Sequence, residues 1–337
     1  MRIKKIEAGS FYTYLSDGCR LCRRGSKLVL FVTGLCPHSC FYCPISKEKW
    51  QKDVIFANER PIKTYNDLID EINLMSAEGA SITGGEPLVK LERVIEFLKL
   101  LKKFDLHVHL YTSLPVKEHV IERLSKAGLD EIRFHPPELK NPNVYVDSIL
   151  ASKKFKIETG FEVPSIMFCK EIAKISNQYD IFLNLNELEF SDTNFEKLKE
   201  KGFEANGLYG TKGSIKIANE YLKNVKKFHY CTARFKDLAQ LRRRFIRMAF
   251  NHPEFYMVTR DGTLICGFIE GKKERLEEIK KLLKRLNQEY IEVERGIETS
   301  VEFTEKWHKE LKRRGLKVSV IERYPTSKRI VIEVLPL

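Results

Sequence analysis

Short β-branched or aromatic runs alternate along the chain with amphipathic, charged segments, and the alternation begins at residue 28. Strand candidates are LVLFVTG (28–34), ASITGG (80–85), LHVHLYTS (106–113), EIRFHP (131–136), KIETGFEVPSI (156–166) and IFLNLNELEF (181–190). Helix candidates follow them at 64–79, 89–104, 116–128, 142–154, 171–179 and 193–202. Regular alternation of this kind is typical of repeated βα units and hence of a parallel sheet.

The alternation predicts an α/β fold with six βα units. Right-handed crossovers would wrap these units into a partial, TIM-like (β/α)6 barrel over residues 28–202, with ligands at the C-terminal ends of the strands. An open, doubly wound sheet is the competing geometry, because periodicity alone does not distinguish the two.

The pattern changes after Gly202. A helix candidate at 214–224 precedes a basic helical run at 228–250, and a β-hairpin is predicted to turn at Asp261-Gly262. Further candidates are a helix (272–287), a strand (289–295), a helix (301–315) and a terminal strand pair. We therefore predict three parts: an N-terminal segment (1–27), the βα core (28–202), and a basic linker helix with a small C-terminal α+β domain (203–337).

Lys and Arg outnumber Asp and Glu by 59 to 46, which gives a formal net charge of +13. This balance suits a phosphate-rich partner, although a solvated lysine-rich surface explains it equally well. Abundant Lys, Glu and Ile with few Gln resemble the composition of thermophile proteins. The first residues lack a signal peptide's apolar stretch, and no window approaches the ~20 apolar residues of a membrane span. We expect a cytoplasmic protein with no membrane partner.

Three of the eight cysteines, Cys36, Cys40 and Cys43, form a C-x3-C-x2-C row directly after the first predicted strand. Cysteines in a reducing compartment are more readily metal ligands or buried apolar groups than disulfide partners. Three thiolates on one loop can hold three corners of a cubane iron–sulfur cluster and leave its fourth iron open to a small molecule. Structural zinc needs four ligands, and His38, inside the row, is badly placed to be the fourth.

The segment SITGGEP (81–87) ends the second predicted strand. Gly84 and Gly85 lack Cβ atoms, so the backbone there can approach a ligand closely. Glu86 supplies an anion that could fix an ammonium group, and Pro87 stiffens the turn. The alternative is an ordinary βα turn.

Together, the cysteine row with Tyr42 before its last cysteine and the Gly-Gly-Glu-Pro segment resemble the radical S-adenosylmethionine (SAM) superfamily, especially members similar to pyruvate formate-lyase activating enzyme. The resemblance covers residues ~28–190, the size of a core of six βα units. It implies that Cys36, Cys40 and Cys43 bind a [4Fe–4S] cluster whose open iron is chelated by SAM. It also implies that Gly84, Gly85, Glu86 and Pro87 contact the methionyl amino group and that Tyr42 lies beside the adenine.

The same resemblance implies ribose and carboxylate contacts near the ends of the later strands. The candidates are Ser113, Arg133, Asn184 and Asn186, with Thr112, His135, Glu162 and Glu187 beside them. Polar side chains that point into a barrel need partners, which makes a ligand plausible.

The implied chemistry is reductive cleavage of SAM to a 5′-deoxyadenosyl radical, which abstracts hydrogen from a substrate. An electron donor such as ferredoxin or flavodoxin is expected as a partner. The first step needs no general base or nucleophile, and the sequence leaves further catalytic residues unknown.

A second cysteine set begins with the C-x2-C pair Cys19 and Cys22, and Cys231 is the predicted third ligand. His229 or Cys266 could be the fourth, whereas Cys169 is more simply a buried apolar residue. Zinc and an auxiliary iron–sulfur cluster both stay open as the metal. A redox dithiol or three unrelated thiols are the alternatives.

Four arginines follow Cys231 closely, with aromatic residues interleaved: Arg242, Arg243, Arg244 and Arg247 with Phe235, Phe245 and Phe250. Such side chains can neutralise phosphates and stack on unpaired bases, so the favoured substrate is RNA, most simply a transfer RNA. A helix with a basic outer face is the alternative reading of this segment. A peptide or protein substrate is the alternative function, and a zinc-dependent nucleic-acid-binding module is the non-enzymatic one.

Overall fold

A computed structural model describes residues 2–208 and 210–337. The chain forms two compact units. The first contains the chain up to Ile69 together with Ala77–Leu241, and the second contains Asp70–Ser76 together with Arg242–Leu337. The first unit therefore extends past residue 202, where the sequence pattern placed the end of the core.

An 11-stranded sheet forms the first unit. Its parallel strands are β3 (Lys27–Phe31), β6 (Gly79–Thr83), β7 (His107–Thr112), β8 (Glu131–Phe134), β9 (Glu158–Pro164), β10 (Phe182–Asn186) and β13 (Phe228–Cys231). Short antiparallel strands flank them: β1 (Lys4–Lys5), β2 (Phe11–Tyr12), β4 (Phe56–Ala57) and β5 (Arg60–Pro61). A separate small hairpin pairs β11 (Ala205–Asn206) with β12 (Gly210–Thr211).

The parallel strands stand side by side in the order in which the chain makes them, so the strand order does not reverse as it does in a doubly wound sheet. The helices of this unit are α1 (Asp17–Arg23), α3 (Leu91–Lys102), α4 (Glu118–Lys126), α5 (Val146–Lys154), α6 (Lys170–Gln178), α7 (Phe195–Glu200), α8 (Ser214–Asn224) and α9 (Ala233–Phe235). Helix α2 (Tyr65–Leu74) belongs to the first unit up to Ile69 and to the second unit from Asp70. The predicted α/β class with a large, mostly parallel sheet is confirmed. The sequence missed β13, which it assigned to a helical run.

The sheet has one apolar and one polar face because side chains alternate along each strand. In β8, Ile132 and Phe134 are buried on one face, while Glu131 and Arg133 are buried on the other. The short helix α1 crosses the polar face. Its Gly18 N–H donates to Glu131 Oε2 at 3.0 Å, and a Cβ atom added at Gly18 would lie 2.6 Å from His109 Nδ1. Only a residue without a side chain fits here.

The second unit has a six-stranded antiparallel sheet in the order β16-β17-β15-β18-β19, with β14 on β15. These strands are β14 (Met257–Val258), β15 (Leu264–Glu270), β16 (Tyr290–Val293), β17 (Gly296–Thr299), β18 (Lys317–Arg323) and β19 (Val331–Pro336), and the helices are α10 (Arg242–Phe250), α11 (Lys273–Arg285) and α12 (Val301–Arg313). The predicted hairpin turns at Gly262, whose φ of +83° favours glycine. Strand β17 was not predicted.

Within residues 2–208 and 210–337, every helix is too short or too polar to cross a bilayer.

Candidate functional site

The loop after β3 carries the first cysteine set, Cys36, Cys40 and Cys43. All three are half-buried and have free thiols. The His38 N–H donates to Cys36 Sγ at 3.4 Å, and burial raises the pKa of the Cys36 thiol, as do negative charges on Cys40 and Cys43. An iron–sulfur cluster is held by cysteine thiolates. Three free thiols on one loop therefore supply the ligands that such a cluster needs.

Asp53 anchors the end of this loop. Its carboxylate accepts from Thr33 Oγ1 at 2.9 Å and pairs with Arg93 and Lys90 at the start of α3, at 2.5 and 3.0 Å. The hydrogen bond from Arg93 holds the pKa of Asp53 well below its usual range. Arg93 also donates to Val32 O at 2.8 Å, so both ends of the loop are tied to α3.

The glycine pair that follows β6 packs against the base of the cysteine loop. Gly85 N donates to Thr33 O and Glu86 N donates to Leu35 O, each at 2.8 Å. A Cβ atom added at Gly84 would lie 2.4 Å from Thr33 O, and one added at Gly85 would lie 2.5 Å from Leu35 O. The sequence led us to expect a close approach to a ligand, but the close approach in the structure is to the backbone that carries Cys36.

Glu86 is fully buried, and its carboxylate organises the ends of β6 and β7. Oε1 accepts from Thr112 Oγ1 at 2.8 Å and from Leu88 N at 3.0 Å, and Oε2 accepts from Ser113 N and Ser113 Oγ, both at 2.6 Å. These four hydrogen bonds satisfy a buried anion. Ser113, predicted to contact the cofactor, holds Glu86 in this structure.

Tyr42 is a buried residue of the cysteine loop and links the loop to β8 and β9. The Glu138 N–H donates to its hydroxyl, which lies 2.9 Å from His135 Nε2, while His135 Nδ1 lies 2.9 Å from Glu162 O. A carbonyl only accepts, so Nδ1 carries the proton and Nε2 accepts from Tyr42. Burial lowers the pKa of His135, which keeps this neutral form.

The polar face of the sheet holds a buried network centred on Arg133, which is 1% exposed. Its Nε donates to Glu131 at 2.5 Å, and its Nη1 pairs with Glu162. Asn184 and Asn186 each donate to Glu162 at 2.8 Å. Burial alone would raise the pKa of Glu162, but Arg133 and the two amides hold it at about 2. Arg133, Asn184 and Asn186, predicted as cofactor contacts, thus bind Glu162.

The second cysteine set also reaches this polar face. Cys19 is buried and Cys22 half-buried on α1, and Cys231 is buried at the end of β13. Cys169, as predicted, is buried; its thiol lies 3.8 Å from Leu139 O. Cys266 packs in the apolar core of the second unit.

Potential ligand atoms are not clustered tightly around either cysteine set. Among residues 2–208 and 210–337, the groups of three or more that lie within 4.8 Å of one another are His107–His109–Glu131 and Asp17–His107–Glu158. The first group already has positive charges beside it. Lys27 Nζ lies 3.4 Å from His109 Nε2, and Arg133 donates to Glu131, so a metal cation would be repelled. The sequence analysis did not single out His109 and Glu131 as members of a buried polar cluster. Polar residues at alternate positions of β7 and β8 could have indicated it.

The basic segment is largely engaged in the second unit. Arg242 donates to Arg260 O at 2.8 and 2.9 Å, and Arg247 donates to Met75 O at 3.2 Å. Phe245 packs against Tyr324 with ring centroids 5.1 Å apart, whereas Phe250 is 74% exposed. Arg242 and Arg247 therefore hold main-chain carbonyls, and Phe245 packs the fold.

Comparison with known families gives two matches. The Radical SAM superfamily matches residues 30–137, and a domain of unknown function, DUF8061, matches residues 262–337. Among solved structures, Streptococcus suis SuiB bound to S-adenosylmethionine covers 61% of this chain and 50% of its own length, with 12% identity and a TM-score of 0.43.

Two relatives extend the comparison. A protein of Methanocaldococcus jannaschii, provisionally named a glycyl-radical enzyme activating enzyme, is 37% identical over 365 residues, which cover 100% of this chain and 97% of that protein. A probable GTP 3′,8-cyclase of Thermococcus kodakarensis is 26% identical over 126 residues, 37% of this chain and 39% of that protein. The predicted resemblance is confirmed, and the non-enzymatic alternative is wrong. The chain belongs to the radical SAM superfamily and is an enzyme whose cofactors are a [4Fe–4S] cluster and SAM.

Proposed function

We propose that this radical SAM enzyme acts on a protein or peptide, and that it converts a glycine residue of a partner enzyme into a glycyl radical. The observation that carries the proposal is the 37% identity, across the whole chain, to the Methanocaldococcus jannaschii protein named for that activity. The RNA prediction depended on net charge and on the arginine segment, and the named relatives give it no support.

In this proposal Cys36, Cys40 and Cys43 hold the cluster. When bound, the cluster supplies the electron that cleaves SAM to a 5′-deoxyadenosyl radical, which takes a hydrogen atom from the substrate. The thiols are half-buried, so they retain some exposure to solvent, and Asp53 pairs with Arg93 at the end of the loop. The sequential strand order supports a partial barrel with this loop at its C-terminal end.

The SAM subsite would lie between the cysteine loop and the ends of the neighbouring strands. In this proposal segment 84–87 and Tyr42 would border this region, and Asn186, half-buried at the end of β10, would contact SAM. Arg133 and Asn184 would act indirectly, because both orient Glu162. The positive net charge favours an acidic electron donor such as ferredoxin or flavodoxin.

The test uses cell extract of the source organism, grown on glycine deuterated at Cα, as the substrate pool. The anaerobically reconstituted enzyme is reduced with SAM and extract, and deuterium in the released 5′-deoxyadenosine is measured by mass spectrometry. Three portions of extract are compared: untreated, treated with ribonuclease, and treated with protease.

The proposal expects deuterium transfer that survives ribonuclease and is lost after protease. A doublet electron paramagnetic resonance signal should appear in the protein fraction and collapse with deuterated glycine. Transfer abolished by ribonuclease and insensitive to protease would establish an RNA substrate and overturn the proposal. The variant with alanine at Cys36, Cys40 and Cys43 is the control and should release no 5′-deoxyadenosine.

A further inference from the structure

The second cysteine set is assembled from the two ends of the first unit. Cys19 Sγ lies 3.7 Å from Asn184 Oδ1, and Cys231 pairs in register with Asn186, on the same face of β10 as Asn184. Cys22 lies three residues after Cys19 on α1, so the two side chains lie on the same face of that helix. All three thiols are free.

His229 stands on the same face of β13 and has an unused lone pair. Glu162 accepts from Asn184 Nδ2, so the Asn184 Oδ1 must face His229 Nδ1 and accept its proton. His229 is 5% exposed, and its Nε2 has no hydrogen-bond partner among the described residues. A histidine that donates its other ring N–H to a carbonyl oxygen is held as metal-binding histidines are held.

Hydrogen-bond donors face two of the sulfur atoms. Arg133 Nη2 donates to Cys19 Sγ at 3.4 Å, and Gln240 Nε2 lies 3.9 Å from Cys231 Sγ. Donors of this kind stabilise cluster-bound sulfur and tune the cluster that it holds. Phe235 and Ala239 pack against Cys231 and limit the access of water to the site.

The ligand atoms stand too far apart for a preformed site for a single ion. Sulfur ligands bound about 2.3 Å from one zinc ion lie about 3.8 Å apart. In the described part of the chain, no three of the Cys19, Cys22, Cys231 and His229 ligand atoms come within 4.8 Å of one another. A cubane binds each thiolate on a separate iron, so its ligands stand farther apart.

We propose that Cys19, Cys22 and Cys231 hold a second iron–sulfur cluster on the polar face of the sheet, with His229 Nε2 as its fourth ligand. This inference goes beyond the proposed function and does not depend on the identity of the substrate. Binding would release the thiol protons and leave the first cluster and its SAM site unchanged.

The experiment compares full-length proteins reconstituted anaerobically with iron and sulfide. The loop variant replaces Cys36, Cys40 and Cys43 by alanine, the buried-set variant replaces Cys19, Cys22 and Cys231 by serine, and the control replaces Cys169 and Cys266 by serine. Iron, sulfide and zinc per chain are measured, and the reduced proteins are examined by electron paramagnetic resonance with and without SAM.

We expect about eight irons in the wild type and the control and about four in each triple variant. SAM should change the spectrum of the buried-set variant and leave that of the loop variant unchanged. A loop variant that retains no iron, or that holds about one zinc instead, would overturn the inference.

The loop variant leaves the buried set intact, so the result does not depend on whether the buried-set variant folds. Adding His229→Gln to the loop variant should keep the iron and alter the spectrum, and an unchanged spectrum would remove His229 as a ligand. Loss of deuterium transfer from protein, with both clusters present, would count against the proposed function alone.

Discussion

The two cysteine sets differ in how the chain assembles them. Cys36, Cys40 and Cys43 share one half-buried loop, whereas Cys19 and Cys22 lie on α1 and Cys231 lies on β13, more than 200 residues later in the chain. The loop set is positioned by backbone contacts and by the anchor at Asp53. The buried set is surrounded by ionised side chains.

This difference predicts different sensitivities. A half-exposed loop can admit a small molecule and depends on close backbone packing. A buried set depends on the charges around it, because an unpaired charge is costly away from water. Changes in the charge network should therefore affect the buried set first, and changes in the glycine pair should affect the loop set first.

The largest effect is expected for Arg133→Met. Removing this guanidinium leaves the carboxylates of Glu131 and Glu162 buried without their cation, so the free energy of unfolding should fall by about 3–5 kcal/mol. Urea titration of the apo-protein measures the change. The matched control is Arg123→Met, since Arg123 pairs with Glu92 at the surface and should cost less than about 1 kcal/mol. Equal effects would contradict the buried network.

The second-largest effect is expected at low pH, where protonation of Glu162 should lower the free energy of unfolding. The pKa of Glu162 is about 2 in the folded protein, against 4.5 for an ordinary glutamate in the unfolded chain, so the unfolded chain binds the proton first as pH falls. Its stabilisation is present above pH 4.5 and lost toward pH 2, a decrease of about 3 kcal/mol. Urea titrations of the apo-protein across this range measure the slope, which Glu162→Gln should reduce. An unchanged slope would show that Glu162 is not held ionised.

Gly85→Ala should affect the loop set. The new Cβ would lie 2.5 Å from Leu35 O, and a clash with backbone should cost about 1–3 kcal/mol and displace Cys36. Thermal unfolding and the rate of iron loss to a chelator report the two effects. Gly202→Ala is the control, because Gly202 has φ +78° and nothing within 4 Å, so it tests backbone strain alone. Faster iron loss in the control would contradict the assignment.

Tyr42→Phe should have the smallest effect. The ring remains, but the Glu138 N–H and His135 Nε2 lose their partner, which should cost about 1 kcal/mol. The comparison variant is Tyr65→Phe, whose hydroxyl bonds Glu96 at the surface and should contribute almost nothing. Thermal unfolding of both proteins measures the difference. Indistinguishable melting temperatures would mean that Tyr42 does not tie the loop to β8.

Most of the parallel sheet could be predicted because each βα unit carries its own pattern. In α3, Val94, Leu98 and Leu101 recur at helical spacing and are buried, and β7 alternates as a strand should. The cysteine row could be predicted for the same reason, since its members lie on one loop.

The remainder depends on contacts between distant residues. Strand β13 has four residues and is followed by a basic helix, so its local pattern resembles the helix; its position is fixed by pairing with Asn184 and Asn186. The glycine pair indicated that some group comes close to the backbone at Gly84 and Gly85. It did not indicate that this group is the backbone of the cysteine loop. Nothing local to Arg133 indicates that its carboxylates lie on β8 and β9.

The pairing of β2 with β13 determines which parts of the first unit can fold before synthesis of the chain is complete. Ser10 Oγ lies 3.0 Å from Thr232 Oγ1, so the N-terminal segment lacks this partner until Thr232 has been synthesised. The loop cysteines and the strands β3 and β6 that flank them are made well before that point. Metal could therefore bind Cys36, Cys40 and Cys43 on a nascent chain, whereas the second cluster that we propose could not form before Cys231 is made.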